Sequence, residues 1–123
     1  MTDDVWVRAR VAAEALDAKQ AHDVVVLDVG DILAITEAFV IGHGTNSRQV
    51  RTLVDEVERR LLAECNVKPR AREGVADGTW VVLDYGDIVV HVFLEETREF
   101  YGLDRLWSDA RSVDWSSVAA ANG

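Results

Sequence analysis

Cations are scarce in this chain: 13 lysines and arginines stand against 22 aspartates and glutamates, a formal net charge of −9. That shortage argues against a free-standing nucleic-acid binder, whose affinity comes largely from neutralising phosphates. It suits a basic partner protein or a cationic ligand, and it also serves solubility. Cysteine occurs once, at Cys65, which excludes an intramolecular disulfide and a cysteine-rich metal knuckle. No apolar run reaches the length of a membrane span, and MTDDVWVRAR lacks the basic start and apolar stretch of a secretory signal. A cytoplasmic protein with no membrane association is the expectation. Neither a GxGxxG nor a Gly-Lys-Ser/Thr phosphate signature is present.

What is present reads as one α/β domain over residues 1–110, with residues 111–123 as a flexible tail. Residues 3–19 have helical spacing, with Val5, Ala9, Ala12 and Leu16 on one face and Asp3 or Asp4 as a start cap. Val24–Val29 and Phe39–Gly42 read as buried strands separated by a Gly30-Asp31 turn. GHGTNSRQV (42–50) leads into the clearest helix, whose stripe is Val50, Leu53, Val54, Val57 and Leu61. Asn46 and Gln49 resemble a capping box, Asn66 a stop, and Pro69 bars continuation. On the outer side, Asp55–Arg59 and Glu56–Arg60 are acid-before-base pairs. A short strand and a polar loop follow within 67–78. Helical or turn character returns from Glu95 to Trp107. The order of elements implies one mixed sheet with helices packed on it.

TWVVLDYGDIVVHVFLEE (79–96) carries a hairpin signal around Asp84-Tyr85-Gly86-Asp87. A two-residue loop would pair Asp84 with Asp87, Val82 with Val89 and Trp80 with His91. One face is then aliphatic: Val81, Leu83, Ile88, Val90 and Val92. The other mixes Trp80, Val82, Asp84, Asp87, Val89, His91 and Phe93. From Asp84 to Asp109 there are seven acids and two arginines, so the carboxylates of a buried mixed face would lack partners. Aromatic anchors with an acidic rim describe a protein-binding surface. The alternative is that Trp80 and Phe93 pack under the C-terminal segment while the acids face water.

Catalytic signals are weak. The Gly44-Thr45-Asn46-Ser47 loop before a helix could hold a phosphate, yet glycines and hydroxyls there are ordinary cap chemistry. His22, His43, His91 and Cys65 lack metal-ligand spacing. Asp84 and Asp87 at a hairpin tip read as a turn, and Ser47 has no nucleophile-elbow setting.

Three stretches, VLDVGDILAITEAFVIGHGTNSRQV (26–50), WVVLDYGDIVVHVF (80–93) and FYGLDRLW (100–107), together resemble the ribosomal silencing factor family, related to the plant protein Iojap. The resemblance spans about residues 10–110. It implies a nucleotidyltransferase-like α/β fold and a non-enzymatic role without cofactor or metal. Members bind the large ribosomal subunit through its ribosomal protein fourteen and block joining of the small subunit, damping translation when nutrients are scarce. Matching motif positions carry the partner patch to Trp80, Val82, Asp84, His91, Tyr101, Leu106 and Trp107. Phe100 and Leu103 are expected to turn inward, and ribosomal RNA contact to be secondary at most. The same patch could pair two copies in a homodimer. Glu37 and His43 depart from the family pattern, in which an Asp and a small hydroxyl residue are usual. The runner-up is a nucleotidyltransferase-like nucleotide binder or enzyme using the 44–47 loop. It lacks the acid-x-acid pair that would hold metals after the helix: that segment reads VKPRAREGVADG.

Overall fold

Two helical stripes and one aliphatic sheet face leave the chain a single way to hide its apolar residues: both long helices on the same side of a sheet. The computed structural model describes residues 2–33 and 35–118, except for the side chains of residues 2–4 and 104. The start cap expected at Asp3 or Asp4 lies outside the described side chains. Helix α1 (Thr2–Ala18) leads into strands β1 (His22–Asp28) and β2 (Ala38–Gly44), then helix α2 (Ser47–Cys65). Strands β3 (Ala71–Glu73), β4 (Trp80–Asp84) and β5 (Ile88–Leu94) follow, then short helices α3 (Glu95–Tyr101) and α4 (Leu103–Leu106). Strand β6 (Arg111–Val113) and a 3-10 turn (Trp115–Ser117) complete the described chain. The sheet order is β3-β4-β5-β2-β1-β6, with β2 and β5 parallel and every other pair antiparallel.

The core on the helical side holds Val5, Ala9, Ala12 and Leu16 of α1 and the whole predicted stripe of α2. They meet Val81, Leu83, Ile88, Val90 and Val92 of the sheet. Gly42 lets α1 approach closely, since a Cβ there would lie 3.2 Å from Leu16 Cδ1. Asn46 caps α2, its Oδ1 accepting from Gln49 N–H at 2.8 Å. The Gln49 side chain does not close a capping box. It donates to the Lys19 and Gln20 carbonyls at 3.3 and 3.0 Å, tying the start of α2 to the end of α1. Asn66 ends the helix in the left-handed region, at φ 57°. On the outer side Arg59 turns to Glu56 rather than Asp55, and Arg60 joins it. These hydrogen bonds from Arg59 and Arg60 hold the Glu56 carboxyl at about 2.

The hairpin is looser than its sequence suggests. Asp84 pairs with Val89, Val82 with His91 and Trp80 with Phe93. The shift from the expected register is two residues, so each side chain stays on its expected face. The exception is Asp87, which leaves the ladder for an ion pair with Arg8 of α1. Its carbonyl accepts from Glu37 and Ala38 N–H at 2.9 and 3.2 Å, and Thr36 Oγ1 donates to the Gly86 carbonyl at 3.3 Å. These contacts from distant segments hold the wider turn and keep two carboxylates from facing one another across the strands.

The Tyr85 hydroxyl at this turn is buried without a hydrogen-bond partner, and burial pushes its phenol well above the ordinary value. Removing an orphaned polar group should cost nothing. Tyr85→Phe is therefore expected to be as stable as the parent or up to about 1 kcal/mol more stable. A urea melt checks this, and a clear loss of stability would mean that the hydroxyl has a partner.

Regular structure continues past residue 110. Residues 111–113 add an edge strand to β1, with Arg111 pairing Asp28 at 2.8 Å. Asp114 Oδ1 caps the 3-10 turn by accepting from Ser116 N–H at 3.2 Å, and Trp115 packs against the helical-side core. Residues 119–123 of the expected tail lie outside the described residues.

Candidate functional site

The opposite sheet face carries the mixed side chains, and a smaller core forms on it. Leu27, Val29, Phe39, Ile41, Phe93 and Leu103 are buried there beneath the α3–α4 segment, rimmed by Leu33, Trp80, Val89 and Trp107. Phe93 thus packs under the C-terminal segment, while the edge of that cover stays half-open. Phe93 is fully buried and His91 is 7% exposed, whereas Trp80, Val82 and Asp84 are half-buried at the edge of the cover.

Trp80 organises the edge. Its ring stacks on Phe93 at 4.9 Å and meets Tyr101 of α3 at 5.0 Å. Its Nε1–H donates to His91 Nδ1 at 3.2 Å. That bond places the acceptor lone pair of His91 on Nδ1, so its role is to orient the indole. His91 packs edge-on to Phe39 at 4.7 Å, and Phe39 meets Trp107 at 5.6 Å. A continuous row of rings therefore runs Trp107, Phe39, His91, Trp80, Tyr101 and Phe100, the last pair 5.0 Å apart. Its Tyr101 end is 56% exposed, and Leu106 is 72% exposed.

Val82 lies opposite His91 on one side and Glu73 on the other, so the Glu73 carboxylate shares its face. Asp84 accepts from Gly86 N–H at 2.8 Å and lies 3.3 Å from the exposed Arg70. The β3–β4 end of this face is thus an acidic, half-open shelf beside the aromatic row.

The expectation that Phe100 turns inward is not met: it is 79% exposed. In α3 the side chain that turns inward is Arg98, and a residue two positions further on points to the opposite side. Leu103 is buried as expected, because Gly102 ends α3 at φ 60° and redirects the chain. Phe39 and Leu33 were missed. Strand β2 is buried along its whole length, so no alternation marked which residues share a face with His91.

The 44–47 loop is largely self-satisfied. Asn46 caps through Gln49 N–H, and Gln49 Oε1 accepts from Thr45 N–H at 2.9 Å. A phosphate would need those donors. Among the described residues no group of three or more His, Cys, Asp or Glu side chains could hold a metal ion. No helix among them is long and apolar enough to cross a membrane.

A family model described as "Ribosomal silencing factor during starvation" matches residues 2–123. The ribosomal silencing factor RsfS of Bacillus subtilis is 36% identical over 105 residues, covering 85% of this chain and 88% of that protein. A mouse protein named "Mitochondrial assembly of ribosomal large subunit protein 1" is 35% identical over 101 residues, 80% of this chain and 44% of its own length. A crystal structure of a Chromobacterium violaceum protein superposes with a TM-score of 0.78 at 32% identity, covering 93% of this chain and 92% of that one.

Proposed function

Since this chain belongs to the ribosomal silencing factor family, we propose that it is a translational repressor acting by binding rather than by catalysis. It docks on the large ribosomal subunit through ribosomal protein fourteen and sterically blocks joining of the small subunit under nutrient limitation. The observation that carries this reading is the half-open aromatic row from Trp107 to Phe100 with the Glu73–Asp84 shelf at its edge. Exposed aromatic anchors supply the desolvated centre of an interface. Ribosomal proteins are typically basic, so the carboxylates steer such a partner, while a net charge of −9 disfavours contact with ribosomal RNA. Trp80, Val82, Asp84, Tyr101, Leu106 and Trp107 form the docking face, and His91 supports it from beneath.

Co-sedimentation with separated ribosomal subunits tests the reading. Binding to the large subunit alone, with loss of subunit joining, is expected. Leu106 is 72% exposed, so Leu106→Asp should leave the fold intact and weaken that binding about tenfold or more. Large-subunit binding unaffected by Leu106→Asp would move the face elsewhere, and no binding to either subunit would overturn the function. Free protein could bury the same exposed row against a second copy, which the ribosomal partner would displace. Sedimentation velocity with and without Leu106→Asp separates that dimer from a monomer.

A further inference from the structure

Helix α3 bears Tyr101 on the docking face, and its own backbone gives it little stability. It has seven residues, no side-chain N-cap, and a glycine at its end. A segment so short is not stable without tertiary anchors. The side chain it buries is a cation, Arg98, at 9% exposure. Arg98 reaches the paired ends of β1 and β2. Its Nη1 donates to the His22 carbonyl at 3.3 Å and lies 2.9 Å from His43 Nδ1. A guanidinium has no acceptor, so the close contact requires an unprotonated Nδ1. His43 must then be neutral, with its proton on Nε2. It is itself only 7% exposed.

We propose that His43 and Arg98 form a proton-sensitive latch: neutral His43 holds α3, and therefore Tyr101, against the sheet, and protonation of His43 releases the helix and weakens the docking face. This rests on the function proposed above for that face, although the latch itself can be tested in the free protein.

The surroundings decide the direction. His22 stacks on His43 at 5.4 Å from β1, and Asp23 of β1 and Glu95 of α3 also face it. Glu99 and Arg105 line the same cleft of about 550 Å³. Asp23 and Glu95 favour the protonated ring; burial first, then Arg98 and His22, oppose it and hold the imidazole below its ordinary 6.5. The unfolded or released state therefore takes up the proton more readily. The latch is at full strength above 6.5 and weakens as pH falls through the lower folded value. Protonation would remove the acceptor and set two cations within hydrogen-bonding distance in a buried site. Tyr101 follows Arg98 by one helical turn, so displacement of one disturbs the other's contact with Trp80.

Hydrogen exchange of the free protein at pH 7.5 and 5.5, corrected for the intrinsic chemical rate, is the test. Protection of the α3 amides should fall severalfold, up to about tenfold, relative to β5 on acidification. His43→Asn keeps an acceptor near the Nδ1 position and cannot be protonated, so its α3 protection should not respond. Arg98→Leu should leave α3 poorly protected at both pH values, and His22→Asn, which removes one group opposing protonation of His43, should still respond in the parent's direction. Equal loss of protection in α3 and β5, or a His43→Asn response matching the parent, would overturn the latch. Without any substitution, a proton found on His43 Nδ1 by nitrogen NMR at pH 7.5 would also overturn it. Large-subunit binding at the two pH values is measured in parallel. Absence of binding at both refutes the docking face and leaves the exchange result standing.

Discussion

Trp80→Ala is expected to weaken association with the large ribosomal subunit by about 2 kcal/mol or more, roughly thirtyfold in Kd. Among the described residues the indole is the one ring touching both the buried platform, at Phe93, and the exposed end of the row, at Tyr101. Its removal takes away an anchor and leaves Tyr101 without support. It also leaves His91 Nδ1 without the Trp80 donor, so a stability loss of about 2 kcal/mol should accompany the binding loss. Binding must therefore be measured well below the variant's melting temperature. Trp80→Phe separates the two effects. It keeps an aromatic face over Phe93 and loses the N–H, so its stability should fall while most binding persists. Isothermal titration with purified large subunits reads the difference, and a folded Trp80→Ala protein that binds like the parent would remove Trp80 from the interface.

The features legible in the sequence are those written by local periodicity. The α2 stripe, its Asn46 and Asn66 caps and the two faces of the hairpin depend on spacings of two to four residues, and all are found in the fold. The candidate residues Trp80, Tyr101 and His91 come together for the same reason: two lie on adjacent strands with the same parity, and the third is only eight residues beyond Phe93. What escaped was set by contacts between distant segments. The wider turn depends on Arg8, Thr36 and Glu37 meeting residues 86 and 87. Phe39 reaches the aromatic row through a parallel pairing of β2 with β5, and nothing in a uniformly apolar strand announces its neighbour. Phe100 was assigned by hydrophobicity alone. The helix instead buries Arg98, because His43 and the His22 carbonyl can satisfy a guanidinium there. Strand β6 was hidden by its small polar composition, and its place follows from the open edge of β1 and the Asp28–Arg111 pair.

The sheet separates two cores, and the second prediction uses that division. Phe93 is fully buried on the docking side and Leu53 is fully buried on the helical side. Phe93→Ala should cost about 3–5 kcal/mol and Leu53→Ala about 2–5 kcal/mol, because each loses transfer energy and leaves a cavity. In a domain of this size either loss lowers the melting temperature by about 10 °C or more. The binding outcomes should diverge. Leu53 contacts the helical-side core, so the folded fraction of Leu53→Ala should bind the large subunit as the parent does. Phe93 is the platform on which Trp80 stacks at 4.9 Å. Without it the indole can sink into the cavity, and Tyr101 and α3 lose their register with the sheet. Phe93→Ala should therefore lose at least about tenfold in affinity even at temperatures where it remains folded. Equal binding by the two variants, compared at matched folded fraction, would mean that the partner reads a surface independent of the second core. The aromatic row would then be packing and not a docking face.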